Sequence, residues 1–193
     1  RVLKMLGKKK YTILFVEGCH ENYEKLYEYE QQEWNGGMVR QISGKLKQLV
    51  RGNIFEIDGV KIFAFGGGHG SDIEIRKHAK SFWKQELPTD EEIAFAIDNL
   101  NKNDNQVDYI VTHEPPAMLK DYLDVHADIL QTNQLNAMFN RIANSCKFKR
   151  WFFGKCHKNK VVSAHYQAVF DSIIKIEMPS VQKPDKKKRT KEN

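Results

Sequence analysis

Three histidines occupy comparable places along the chain. His20, His113 and His157 each sit in a short loop directly after a run rich in β-branched and aromatic residues. An imidazole can ligate a metal, hydrogen-bond an anion or exchange a proton near neutral pH. One such residue signals little. Three in register with three strand ends predict one shared site, because α/β folds gather their chemistry on strand-end loops held by a rigid scaffold. Arg76 lies shortly after a glycine run, and its guanidinium suits bidentate recognition of phosphate. Cys19 beside His20, and Lys155 two residues before His157, share the same loops.

The elements that must position these residues follow from periodicity and turn chemistry. Residues 11–16 form an apolar run ending at Glu17-Gly18, which predicts a buried strand feeding the His20 loop. Residues 21–31 place Tyr23, Leu26 and Tyr27 on one helical face, and Trp34-Asn35-Gly36-Gly37 breaks the pattern. Residues 53–57 and 60–65 are β-rich and flank Asp58-Gly59, a two-residue hairpin turn. Gly66–Gly70 follows; no Gly-Lys-Ser/Thr comes after it, so it is a close-approach loop beside the site and not a P-loop. Thr89 and Glu92 make a capping box for a helix with Ile93, Ile97 and Leu100 as its buried stripe. Residues 107–111 predict the strand before His113, and Pro115-Pro116 stops it. Leu135, Met138, Phe139 and Ile142 mark a second amphipathic helix. Residues 148–153 lead to His157, and residues 161–166 and 172–176 predict closing strands.

The chain has 193 residues, 40% hydrophobic and 29% charged, the balance of one globular domain that can bury a core without disulfides. Three cysteines at unrelated spacings argue against a disulfide scaffold and for a reducing, cytoplasmic setting. Cys146 and Cys156 read as plain thiols. No apolar run approaches membrane-spanning length, so no membrane partner is expected. The net charge of +6 is concentrated in residues 183–193, with six Lys or Arg against two acids. Residues 179–193 are expected to be a disordered basic tail, and residues 1–178 the domain. The tail offers a weak route to nucleic acid or acidic lipid, but a solvated terminus is the simpler reading. His69 and His78 are expected to be surface residues, and His126 and His165 structural ones.

Taken together, the motifs resemble the calcineurin-like metallophosphoesterases. Gly18-Cys19-His20-Glu21 is similar to the family's Gly-Asn-His-Glu/Asp signature, with Cys19 in the Asn position. Thr112-His113 before the prolines resembles its next histidine motif, and Gly154-Lys155-Cys156-His157 its closing Gly-His-x-His. Glu33-Trp34-Asn35-Gly36-Gly37, Arg51-Gly52, Phe65-Gly66-Gly67 and Arg76 resemble a bacterial or phage branch. The resemblance spans residues 1–177. It implies a four-layer α/β/β/α sandwich, here without its first strands, and hydrolysis of a phosphoester at a two-metal site with metals about 3.5–4 Å apart. By the same resemblance His20 contacts phosphate and assists the leaving oxygen. His113 and His157 each ligate a metal, and Cys19 occupies a ligand position. Arg76 and Lys155 face the substrate. Manganese, iron, zinc or nickel would suit imidazole donors.

The sequence also departs from that pattern. The family's opening Asp-x-His motif and bridging aspartate have no counterpart in residues 1–18, which contain neither Asp nor His. Lys155 stands where the family has a metal-binding imidazole, and an ammonium has no lone pair to donate. Two expectations follow. Either the chain is part of a working hydrolase whose carboxylates come from elsewhere, or it is a non-catalytic phosphate- or partner-binding domain in which Lys155 replaces a metal's charge. Under both, this chain alone holds no stable two-metal centre.

Overall fold

The structure is a computed structural model describing residues 1–123 and 133–178. The expected tail and His126 lie outside the described residues. The chain is a mixed α/β fold built on two mixed sheets.

The smaller sheet has four strands: β1 (Ile13–Phe15), β2 (Gln31–Trp34), β3 (Gly37–Ser43) and β4 (Leu46–Leu49), ordered β1-β4-β3-β2. β1 runs parallel to β4, and the other pairs are antiparallel. Helices α1 (Val2–Gly7) and α2 (Tyr23–Tyr27) belong to this half. The helix expected over 21–31 is therefore short. Asn22 caps its start by accepting from the Lys25 N–H at 3.0 Å, and Gln31–Trp34 instead pairs with β3. The break at Trp34-Asn35-Gly36-Gly37 is a hairpin turn, with φ of 49° at Asn35 and 88° at Gly36.

The larger sheet has six strands, β5 (Asn53–Ile57), β6 (Val60–Phe65), β7 (Tyr109–Thr112), β8 (Arg150–Phe153), β9 (Lys160–Val161) and β10 (Tyr166–Ala168). Their order is β5-β6-β7-β8-β10-β9, with β6, β7, β8 and β10 parallel. The Asp58-Gly59 hairpin forms as its residues demand, at φ of 49° and 78°. Helices α3 (Ile73–His78), α4 (Asp90–Lys102) and α5 (Gln134–Ser145) complete the fold. The Thr89–Glu92 capping box opens α4.

Alternation along the strands sorts the core. Ile13 and Phe15 of β1, Ile42 of β3 and Leu46 of β4 pack with Tyr23 and Leu26 of α2 and Leu6 of α1. The opposite face, with Leu14, Val16, Val39 and Leu49, packs with Phe55 and Ala64 of the larger sheet. The far face of that sheet, with Phe63, Phe65, Ile110 and Trp151, packs with Leu100 of α4 and Leu135, Phe139 and Ile142 of α5.

Two closing strands differ from expectation. Residues 161–166 hold a turn between β9 and β10, where the His165 N–H donates to Ser163 Oγ at 3.2 Å. Residues 172–178 form no ladder, although Ile174 and Ile176 alternate inward as strand residues do. A strand requires a neighbour to satisfy its backbone. Here the Tyr109 hydroxyl does part of that work, donating to the Glu177 carbonyl at 3.1 Å and accepting from its N–H at 3.2 Å. Among the described residues, no helix is long and apolar enough to cross a membrane.

Candidate functional site

The three histidine loops leave β1, β7 and β8, and they meet. His20, His113 and His157 line one cavity of about 400 Å³, together with Gly18, Cys19, Glu21, Gly70, Ser71, Lys155 and Cys156; the Glu21 carboxylate is exposed and accepts from the Gly18 N–H at 3.4 Å. Parallel pairing of β7 with β8 brings the ends carrying His113 and Gly154 side by side, and the Gly154 N–H donates to the His113 carbonyl at 3.1 Å. Thr112 pins the same corner. Its hydroxyl accepts from Trp151 Nε1 at 2.8 Å and donates to the Glu114 carbonyl at 2.6 Å.

At the bottom of the site lies a buried ion pair. Lys155 Nζ donates to Glu114 Oε1 at 2.6 Å and to the His69 carbonyl, with side-chain exposures of 7% for Lys155 and 0% for Glu114. Glu114 also accepts from the His69 N–H and from Asn136 Nδ2, the latter at 2.6 Å. Buried charges persist only when paired and hydrogen-bonded, and these are. An ammonium has three N–H groups, and two are engaged here. Lys155 and His157 both hold positive φ, at 57° and 47°, an uncommon backbone state for residues with a Cβ. The tight loop after β8 thus turns Lys155 inward and leaves His157 exposed, its ring 5.1 Å from that of Phe170.

His113 differs from the other two histidines. Its Nε2 is buried and has no hydrogen-bond partner. Burial, helped by the Lys155 charge, lowers its pKa to about 4, so the ring is neutral at pH 7. His20 is mostly exposed, and its Nε2 lies 3.1 Å from Asp72 Oδ1. Burial raises the Cys19 thiol above its usual range, against the pull of Lys155, so it is protonated at neutral pH. Burial likewise raises Cys146 and Cys156 to about 11, and all three cysteines are free.

Two further ion-pair clusters lie behind the Gly18–His20 loop. Glu17, at the end of β1, accepts from Arg51 Nε at 2.6 Å and from Gln48 Nε2 at 2.7 Å. Arg51 also reaches Tyr23, whose hydroxyl donates to the Gly18 carbonyl at 2.7 Å. Arg76 is engaged by Asp72, by Glu86 and by the carbonyls of Cys19 and Ser81. It holds the Cys19 carbonyl of the loop from behind and is not among the residues lining the cavity. The glycine run makes the close approach expected of it. A Cβ at Gly68 would stand 2.8 Å from Glu114 Oε1, and one at Gly66 would strike the Glu17 carboxylate.

Sequence reasoning did not single out Glu114, Glu86 or Asn136. Glu114 was visible as the residue after His113, but its pairing with Lys155 spans 41 positions. His69, read as a surface residue, contributes through its backbone, while His78 is exposed at the end of α3.

Among the described residues, no group of three or more His, Cys, Asp or Glu is placed to hold a metal ion. The donor chemistry agrees: Glu114 is committed to Lys155 and Asn136, Cys19 keeps its proton, and Lys155 places a cation among the imidazoles. These residues do not fit a two-metal centre. Compared with protein families, with curated proteins and with solved structures, the chain finds no match.

Proposed function

We propose that this chain is a phosphoester-binding domain of the calcineurin-like metallophosphoesterase type, whose histidine pocket grips a phosphoryl group without two metals. The observation that carries this reading is the meeting of His20, His113 and His157 in one cavity with Lys155 at its base. The packing of helices on a sheet, that sheet on a second, and further helices beyond supports a four-layer sandwich of that type. Three free cysteines fit a reducing, cytoplasmic setting.

The chemistry follows from the donors. The remaining Lys155 N–H is a donor for phosphoryl oxygens, with the neutral His113 ring in the wall beside it. His20 and His157 close the exposed side. A hydrogen bond to a charged group contributes about 1.5–3 kcal/mol, so removing the ammonium is expected to weaken phosphate binding at least tenfold.

Titration calorimetry with inorganic phosphate in the presence of a chelator tests this. Binding should persist in chelator and fall at least tenfold in the double variant Lys155→Met, Glu114→Gln, which removes both buried charges and strands neither. Turnover of a nitrophenyl phosphodiester that requires manganese and vanishes in His113→Ala would replace this reading with a working metallohydrolase. No phosphate binding with or without metal would remove it.

A further inference from the structure

The His113 imidazole is packed among glycines from three loops. A Cβ at Gly18, after β1, would stand 3.1 Å from its Cε1 and 3.3 Å from its Nδ1. One at Gly68, after β6, would stand 3.0 Å from its Cδ2, and one at Gly154, after β8, 3.8 Å from its Nδ1. The first two are closer than an ordinary van der Waals contact, so any side chain there would push the ring. His113 Nε2 has no hydrogen-bond partner, so at that atom packing fixes the ring and bonding does not. Close-packed interiors transmit small displacements. Whatever holds these backbones therefore places the imidazole.

Two of the three are tied to the ion pairs behind the loop. The Gly68 N–H donates to the Glu86 carbonyl at 2.8 Å, and the Glu86 carboxylate accepts from Arg76. The Gly18 carbonyl accepts from the Tyr23 hydroxyl at 2.7 Å, and that hydroxyl accepts from Arg51 Nη2 at 3.1 Å. Tyr23 is fully buried. Burial pushes its phenol further above the usual range, so the hydroxyl keeps its proton and donates. The contact of the Gly18 N–H with exposed Glu21, at 3.4 Å, is much looser.

Resting on the phosphoryl-binding reading, we infer that Tyr23 is a positioning residue of the histidine pocket: its hydroxyl fixes the Gly18 backbone against His113 and so sets where the imidazole stands beside Lys155. Tyr23 is not among the residues lining the cavity, and it acts through Gly18 alone. A pocket wall set in advance spares the ligand the cost of ordering it.

Histidine ring resonances at pH 7 in chelator, from proton–carbon correlation spectra with the His113 signal assigned by its loss in His113→Gln, test this beside calorimetry with inorganic phosphate. Gly18→Ala presses directly on the ring and should move the His113 signal. Tyr23→Phe, which keeps the buried ring and removes only the hydroxyl, should also move it and should weaken phosphate binding at least threefold. Tyr27→Phe is the control, because the Tyr27 ring packs edge-on to that of Tyr23 with centroids 5.9 Å apart. It should change neither reading. A His113 signal unmoved by Tyr23→Phe, or moved equally by Tyr27→Phe, would overturn the inference. So would a moved signal with unchanged phosphate affinity. Absence of phosphate binding in the wild type would end the phosphoryl reading by itself, whatever the His113 signal does.

Discussion

The buried charges behind the Gly18–His20 loop and those under the cavity are built differently. Behind the loop, Arg51 reaches Glu17, Glu92, Tyr23 and the Gln85 carbonyl, while Arg76 reaches Asp72, Glu86 and two further carbonyls. Each guanidinium nitrogen of Arg51 and Arg76 is met by protein, and the buried donor left over on this side is Arg40 Nε, one residue further out through Gln48 and away from the cavity lining. Under the cavity, Lys155 keeps one N–H beyond its two bonds, and His113 keeps a buried nitrogen with no partner. A network closed on itself fixes geometry. A network with unused donors carries a cost in the empty state that a ligand can relieve. The first region therefore holds the loop, and the second carries the unspent donors on which the proposed binding draws.

The largest break in this contrast is Arg51→Met. Glu17 and Arg51 are each only 2% exposed, so the substitution leaves a carboxylate buried without its cation. A loss of about 3–5 kcal/mol in urea unfolding is expected, because stranding one member of a buried pair is far costlier than replacing both. A loss within 1 kcal/mol would show that the rear cluster does not hold the loop.

The next effect sharpens the cavity side. His113 protonates at about 4 when folded, against 6.5 as its ordinary value, with burial as the main cause. Between those pH values the unfolded chain binds more protons, so stability rises with pH there and falls as the solution is acidified. The contribution is on the order of 3 kcal/mol between pH 7 and pH 4. Unfolding in chelator, wild type against His113→Gln at stepped pH, isolates it, because other acids titrate alike in both. Parallel curves would mean that the ring is not buried as described.

The smallest effect on stability is expected at the rim. His20 is 62% exposed and Asp72 38%, so their contact is a solvent-screened one. His20→Asn should change unfolding by less than about 0.5 kcal/mol. It should nevertheless weaken phosphate binding by roughly threefold to tenfold, the worth of one hydrogen bond. Unchanged affinity would confine the site to its buried floor.

Legibility in the sequence tracked how local each signal was. Asp58-Gly59, the Thr89–Glu92 box and the apolar stripe of α5 each lie within a turn or two of backbone, and each formed. Residues 37–49 have no prediction above, and there Arg40 and Gln48 interrupt the apolar pattern. In the fold they are buried and bonded to each other at 3.0 Å across β3 and β4. Residues 172–176 had a strand's composition, and no ladder formed, since pairing depends on a neighbour and not on propensity.

The order of residues alone was enough to place an imidazole after each of three strands, because alternation and turn residues act over a few positions. It also placed a cation, Lys155, in the third of those loops. Only the folded molecule decided that Arg76 would grip a loop, that Glu114 would neutralise Lys155, and that His113 would stay neutral with a nitrogen unused. Those outcomes depend on burial and on partners tens of residues away, and charge in a low-dielectric interior is governed by what surrounds it in space.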